Sequence, residues 1–356
     1  MRGYFLSVIL FNHLQYYPSG LDIFTGRGLL YVSTAEGFFA VSGIVLGIIR
    51  GRKLIEAPFK QAAGLLFKRS FQLYLTSIVL TFIFTFIGWA LLGSEGLKYG
   101  IYANWTNIWD LIWKTLSLQY TYGWADFLRF YAIFLFFTPA ALWLLRKGYW
   151  YLAIAISLSV WSLFPLSPFP PELSQPISWQ VIFFGSFMVG FYWPLLVEYW
   201  NKISVKAKKA ISITLVSTAI ITAIASVLLV YGHEIGGSIG TYLDNIHRGI
   251  ELAFNKDRMP IARILLGTIW FWAMFLVIRK YEAAIVKRVG WFFLPLGENS
   301  LYVYTIQAFI VFFAHLFILH PGGSDSIVIN LIVSLAALAL VWLAVRTKFL
   351  MKIIPR

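Results

Sequence analysis

Hydrophobic positions run in long stretches along the whole chain, and short polar or basic segments interrupt them. A helix needs roughly 20 apolar residues to cross the hydrocarbon core of a bilayer, and fewer where the helices tilt or the bilayer thins. Ten stretches meet this requirement, with approximate bounds 3–17, 29–49, 70–93, 127–145, 149–165, 178–197, 210–231, 260–278, 294–318 and 327–345. The pattern predicts an all-α fold: a polytopic membrane helix bundle of about ten transmembrane helices, in one integral-membrane domain over residues 1–356.

Basic residues alternate with these spans. Lys and Arg cluster after the second, fourth, sixth, eighth and tenth spans, whereas the intervening connections hold few of them. Since Lys and Arg are enriched in cytoplasmic loops, this alternation predicts that both termini are cytoplasmic. In a bacterial cell, we expect a multi-pass protein of the plasma (inner) membrane.

Three connections on the predicted outer side are distinctive. Residues 105–124 place three Trp four positions apart, which predicts a helix lying in the membrane interface. The Pro-rich Ser167–Pro176 stretch predicts a stiff turn. Residues 232–258 form the longest polar segment and predict a solvated outer loop, because its two histidines lack the spacing of a metal site.

Composition supports the membrane class. The chain is 60% hydrophobic and only 12% charged. Its net charge of +14 follows from basic cytoplasmic loops, and no nucleic-acid-binding motif accompanies it, so we expect no nucleic acid partner. There is no cysteine, which excludes thiol nucleophiles and thiolate metal sites.

Two ionisable residues in the first span share one helical face. Eleven steps of roughly 100° bring His13 to within about 20° of Arg2, and the two lie roughly 16 Å apart along the axis. We therefore expect Arg2 at the cytoplasmic edge and His13 beyond the middle of the membrane. A buried imidazole is a candidate general base, although an anchoring Arg and a hydrogen-bonded structural His fit equally.

The second span runs back inward, which predicts that Glu36 reaches the depth of His13 and pairs with it. Such a pair would raise the basicity of the imidazole, but it would also serve as a structural ion pair between two helices. Ser42 belongs to a row of small residues that lets a backbone or an elongated ligand approach. Further polar residues in the spans favour a hydrated interior cavity, namely Asp126, Arg129, Trp179, Gln180, Arg263, Glu298, Gln307 and His315.

The spacing of Arg2 and His13, followed by Phe38-Phe39-Ala40-Val41-Ser42-Gly43, resembles the signature of the membrane-bound acyltransferase 3 superfamily. Lys68-Arg69 resembles its next element. More narrowly, the chain resembles the OpgC branch, whose members succinylate osmoregulated periplasmic glucans. The segments that carry this likeness are Phe24-Thr25-Gly26-Arg27, Ser33-Thr34-Ala35-Glu36, Phe130-Tyr131, Pro176-Ile177-Ser178-Trp179-Gln180 and Leu296-Gly297-Glu298-Asn299-Ser300.

The resemblance implies an enzyme that moves a succinyl or acetyl group from cytoplasmic acyl-CoA to a hydroxyl of an extracytoplasmic glycan, with no bound cofactor and no metal. It implies His13 as catalytic base and Glu36 as the residue that orients it. Arg2, Arg69 and Ser42 would bind the donor, and Trp179 and Gln180 the acceptor. The family pattern also has an acidic residue a few positions before the arginine, and none precedes Arg2 in this sequence.

Two other functions remain open from the sequence alone. A transporter or flippase of a small solute or glycolipid also needs buried charges and a hydrated cavity. A structural or assembly partner needs no catalytic histidine. Activity of a His13→Ala variant would separate the enzyme from the structural partner.

Overall fold

Helices form nearly all of the computed structural model, which describes residues 1–26, 28–91, 107–169 and 171–354. Over these ranges there is no β-strand, only an isolated bridge between Tyr16 and Gly322. In chain order the helices are α1 (Arg2–Leu14), α2 (Asp22–Thr25), α3 (Thr34–Leu46), α4 (Phe59–Ala90), α5 (Ile108–Leu116), α6 (Asp126–Arg146), α7 (Trp150–Ser162), α8 (Pro171–Phe191), α9 (Trp193–Lys202), α10 (Val205–Val230), α11 (Gly232–Ile235), α12 (Gly237–Ile250), α13 (Ile261–Lys280), α14 (Glu282–Ile285), α15 (Trp291–Glu298), α16 (Ser300–Phe317) and α17 (Ile327–Thr347).

Several of these helices are long and apolar enough to cross a membrane, which confirms the predicted all-α membrane class. In the described part of the chain they number seven: Thr34–Arg52, Phe59–Ala90, Gly123–Arg146, Val205–Val230, Ile261–Lys280, Ser300–Phe317 and Ile327–Thr347. An eighth arises if the bent pair Leu173–Phe191 and Trp193–Lys202 forms one broken span. The other two predicted spans coincide with α1 and α7, which have 13 residues each and are about 20 Å long. The count of ten therefore stays a prediction.

Helix α1 lies in the interior of the bundle, because it is apolar around its whole circumference. Nine of its residues are buried, and it packs against α3, α15 and α16. Its first turn approaches α15 so closely that a Cβ atom on Gly3 would lie 2.0 Å from the Phe293 carbonyl oxygen. Arg2 is thus beside the turns of α15, and its position at the cytoplasmic edge of the membrane stays a prediction.

Helices α3 and α8 also touch through their backbones. A Cβ atom on Gly47 would lie 2.2 Å from the carbonyl oxygen of Phe187, and one on Gly190 would lie 2.1 Å from that of Ile44. Only glycine permits this distance. The close contact gives the predicted row of small residues a packing role and fixes α3, which carries Glu36 and Ser42.

Several predicted element boundaries differ from the structure. Helix α8 begins at Pro171, so the second half of the predicted turn Ser167–Pro176 is helical; a proline at the start of a helix loses no hydrogen bond. The predicted span 178–197 crosses the 69° bend between α8 and α9. The predicted span 294–318 is broken at Asn299 into α15 and α16.

The two long predicted outer connections also differ from expectation. One is more helical than predicted, and the helix predicted in the other is shorter. Residues 232–258 are not a loop, since α11, α12 and a 3₁₀ turn over Glu251–Phe254 occupy most of them. The predicted interfacial helix over 105–124 reduces to α5, where Trp109 and Trp113 are exposed as expected. Trp105 lies outside the described residues.

Candidate functional site

A cavity of about 580 Å³ opens between α1, α3, α4, α6 and α16. The three residues that the sequence assigned to a donor substrate all line it: Arg2 from α1, Ser42 from α3 and Arg69 from α4. They come from separate helices, and their convergence is a finding of the structure. The Ser42 hydroxyl is buried in the cavity wall.

The charge of this cavity is strongly positive. Besides Arg2 and Arg69, its lining includes Arg50 and Lys68, whereas Glu298 is its one acidic residue among the described lining residues. Arg2 Nε is buried and has no hydrogen-bond partner in the described part of the chain. Buried guanidinium donors without partners are costly, and a phosphate or carboxylate ligand would satisfy them. The cavity is therefore suited to an anionic ligand.

Aromatic side chains also line the cavity. They are Phe38, Phe127, Tyr131 and Tyr304, and Phe39 stacks behind on Phe127 with ring centroids 5.2 Å apart. The lining therefore combines cationic and aromatic side chains. A ligand with both anionic and uncharged parts matches that lining better than a small ion does.

His13 lies behind two aromatic residues of the cavity wall. Its ring centroid is 6.3 Å from that of Tyr304 and 6.5 Å from that of Phe127, and both of these residues line the cavity. The imidazole also lies 5.0 Å from the Trp124 ring. Arg2 and His13 are thus at opposite ends of one short helix, with Arg2 in the cavity and His13 behind two of its aromatic walls.

Hydrogen bonds fix the residues that surround His13. The Tyr304 hydroxyl donates to Asp126 Oδ1 over 3.3 Å, and the Phe127 backbone N–H donates to the same oxygen over 2.7 Å. Trp124 also contacts the ring of His315, and His315 Nε2 bonds the carbonyl oxygen of Leu14 over 2.8 Å. These bonds join α1, α6 and α16 at the position of His13.

Glu36 does not pair with His13, and that prediction is wrong. The Glu36 carboxylate accepts hydrogen bonds from Arg263 Nε (2.6 Å) and from the Ser33 backbone N–H (3.1 Å), and it forms a buried ion pair with Arg263. The reason lies in the connection after α1, which folds back along that helix so that the Tyr4 hydroxyl donates to the Phe24 carbonyl. Helix α3 consequently starts beside Phe5, and Glu36 lies about two turns from the level of His13.

Trp179 and Gln180 do not line the cavity of Arg2. Trp179 Nε1 donates to the Lys256 carbonyl over 3.1 Å. The Gln180 amide donates from Nε2 to the Ser157 carbonyl over 2.7 Å and accepts from the Ser157 hydroxyl over 2.8 Å. Both residues are buried, and their polar groups bind the protein itself, so the geometry gives them a packing role.

The segment after α10 contacts the residues just before α3 through hydrogen bonds and a ring contact. The Tyr31 hydroxyl lies 2.7 Å from His247 Nδ1, and its ring stacks on Phe254 at 4.6 Å. Arg263 donates to the Phe254 carbonyl over 2.7 Å. Burial, and secondarily the negative charge of Glu251, raise the pKa of Tyr31, so its hydroxyl stays protonated at neutral pH.

The sequence also contained site residues that were not recognised as such. Arg50 belongs to a basic cluster that we interpreted only as a topology signal, and Lys68 was noted only as part of the Lys68-Arg69 motif. Tyr304 carried no signal, because an aromatic residue in an apolar helix is ordinary. Only the packing of α16 against α1 brings it to His13.

The fold and this site define an all-helical membrane protein with a basic interior cavity, two of whose aromatic lining residues contact a histidine. A family model described as OpgC protein matches residues 1–353. The chain therefore belongs to the OpgC family, and membership points to an OpgC-type acyltransferase for glucan modification. Neither the curated proteins nor the solved structures contain a match to the chain.

Proposed function

We propose that the protein is a membrane-bound O-acyltransferase, of the wider acyltransferase 3 type, which transfers a succinyl or acetyl group from acyl-CoA to a hydroxyl of a glycan. The observation that carries this proposal is the cavity shared by Arg2, Ser42 and Arg69, whose lining joins four basic side chains with aromatic rings, two of which contact His13. Acyl-CoA likewise carries anionic phosphates and an uncharged arm that ends in a thioester.

In this proposal the basic residues bind the donor. Arg2, Arg50, Lys68 and Arg69 hold the CoA phosphates, since a guanidinium binds phosphate through paired hydrogen bonds. The acyl chain and thioester lie against Phe127 and Tyr304. Neither a bound cofactor nor a metal takes part in the mechanism.

His13 is the general base. The imidazole removes the proton of the acceptor hydroxyl while that oxygen attacks the thioester carbonyl, so that transfer is direct and no acyl-enzyme forms. The acceptor approaches from the Trp124 side of His13. Glu36 stabilises α3 through Arg263 instead of activating His13.

The proposed topology is polytopic, with ten spans in the bacterial inner membrane and both termini in the cytoplasm. The basic cavity then faces cytoplasmic acyl-CoA, and His13 faces an extracytoplasmic glycan such as an osmoregulated glucan. The alternation of basic connections along the chain supports this orientation.

The proposal is tested by incubating membranes that contain the protein with acyl-CoA labelled in the acyl group and with a periplasmic glucan. Wild type should label the glucan, and His13→Ala should reduce the rate by about 10²- to 10⁴-fold, as expected for loss of a general base. His320→Ala is the matched control, because His320 is exposed, follows the end of α16 and does not line the cavity, and the variant should retain full activity.

Two results would reject the proposal. Equal labelling by wild type and His13→Ala would remove the catalytic role and favour a structural partner. Uptake of unmodified solute or glycolipid by proteoliposomes, without acyl transfer, would establish the transporter or flippase instead.

A further inference from the structure

Gln307 on α16 is a buried amide without partners. Its side chain is 1% exposed, and neither Oε1 nor Nε2 has a hydrogen-bond partner in the described residues. The buried amide of Asn330 shows the usual situation, since it accepts from the Ser324 backbone N–H and donates to the Pro18 and Ser324 carbonyls. A buried amide left unpaired costs free energy, and it requires an explanation other than stability.

The position of Gln307 on its helix supplies that explanation. Tyr304, three residues earlier, touches the His13 ring and lines the cavity, and His315, eight residues later, bonds the Leu14 carbonyl beside His13. At about 100° per residue, the three side chains fall within roughly 80° of one another around the helix. Gln307 therefore shares a face of α16 with Tyr304, which contacts His13, and with His315, which bonds the next residue of α1, Leu14.

We propose that the Gln307 amide donates a hydrogen bond from Nε2 to the carbonyl oxygen of the acyl group during transfer. The inference rests on the proposed function and adds to it the residue that stabilises the oxyanion. A neutral amide held in a buried, water-poor site stabilises a developing negative charge without needing to reorganise, as oxyanion donors do.

The chemical step balances without any additional reactant. The acceptor hydroxyl oxygen attacks the thioester carbonyl carbon, and its proton passes to His13. The carbonyl oxygen becomes negative and is stabilised by Gln307 Nε2–H. When the carbonyl re-forms, the C–S bond breaks and the CoA thiolate takes the proton from His13, leaving an ester and free CoA thiol.

Gln307→Met is the informative variant, because methionine has a similar volume but no amide. Since the wild-type amide is unpaired in the resting protein, the melting temperature of the variant should be equal to or above that of wild type. Transfer to glucan should fall by about 10²- to 10³-fold in kcat, with an unchanged KM for acyl-CoA.

Thr305→Val is the matched control on the same helix. Its hydroxyl bonds the Leu301 carbonyl within α16, so the variant should keep the wild-type kcat. Wild-type kcat in Gln307→Met would overturn the inference, and so would a loss of activity accompanied by a lower melting temperature, which would identify a structural amide. Failure of the proposed function itself would show differently, because wild type would transfer no label, and the inference would then fall with it.

Discussion

Arg263 Nε donates a hydrogen bond of 2.6 Å to Glu36 Oε1, and the two residues are 227 positions apart in the sequence. Their side chains are only 7% and 5% exposed. Ser33 donates to the same carboxylate, and Arg263 also donates to the Phe254 carbonyl. One buried ion pair thus joins α13, the start of α3 and the 3₁₀ turn that precedes α13.

Breaking this pair should destabilise the protein. Arg263→Met leaves the Glu36 carboxylate buried without its cation, which costs about 3–5 kcal/mol in comparable buried pairs. The double variant Glu36→Leu/Arg263→Met removes both charges and should recover most of this loss. Thermal unfolding in detergent measures both effects.

The same double variant separates a structural Glu36 from a catalytic one. Because Glu36 binds Arg263 and not His13, glucan labelling per folded molecule should be close to wild type in the double variant. A double variant that folds normally but transfers no acyl group would contradict this expectation and return Glu36 to the reaction.

Removing a cation from the donor cavity should weaken acyl-CoA binding more than the chemical step. For Arg69→Gln, and likewise for Arg50→Gln, we expect KM for acyl-CoA to rise by about tenfold, equivalent to about 1.4 kcal/mol of lost phosphate interaction, with kcat little changed. Steady-state kinetics with labelled acyl-CoA gives both constants.

Lys202→Gln is the control for this experiment, since Lys202 is exposed and pairs with Glu198 on α9, outside the cavity. Its KM should equal that of wild type. An equal rise in all three variants would mean that overall charge, and not the cavity, attracts the donor.

Three residues that the structure brings into one cavity share a simple property. Arg2, Ser42 and Arg69 belong to motifs of the resembled family, and each was expected on the donor side. Their convergence in one cavity agrees with that expectation, whereas their individual roles remain proposals. The hydrophobic pattern alone was sufficient to predict a membrane protein, because stretches of roughly 20 apolar residues are typical of transmembrane helices.

The errors arose where the tertiary path of the chain decides the answer. Pairing Glu36 with His13 assumed that the connection after α1 leads straight into the next span, but it folds back along α1 and brings Glu36 to Arg263. The membrane depth estimated for Glu36 cannot decide which cationic residue, on which helix, binds its carboxylate. The helices within 232–258 were missed because their glycines and charged residues read as a loop.

Gln180 should prove important for stability and not for acceptor binding. Gln180→Leu leaves the Ser157 hydroxyl and carbonyl without their buried partner, which should cost about 1–3 kcal/mol. Thermal unfolding measures this loss, and the KM for glucan should stay unchanged. A stable variant with a raised KM for glucan would instead support the acceptor-binding role predicted from the sequence.

Two glycines of α8 provide a matched test of the contact with α3. A Cβ atom at residue 190 would lie 2.1 Å from the Ile44 carbonyl oxygen, whereas one at residue 185 would meet no described atom within 4 Å. Gly190→Ala must therefore separate the two helices, at a cost of about 1–3 kcal/mol or more. Since α3 carries Ser42, the donor cavity should widen and KM for acyl-CoA should rise.

Gly185→Ala should instead stabilise α8 by roughly 0.5–1 kcal/mol and leave KM unchanged, because alanine restricts the unfolded chain. Equal melting temperatures for the two variants would show that the backbones are not in contact.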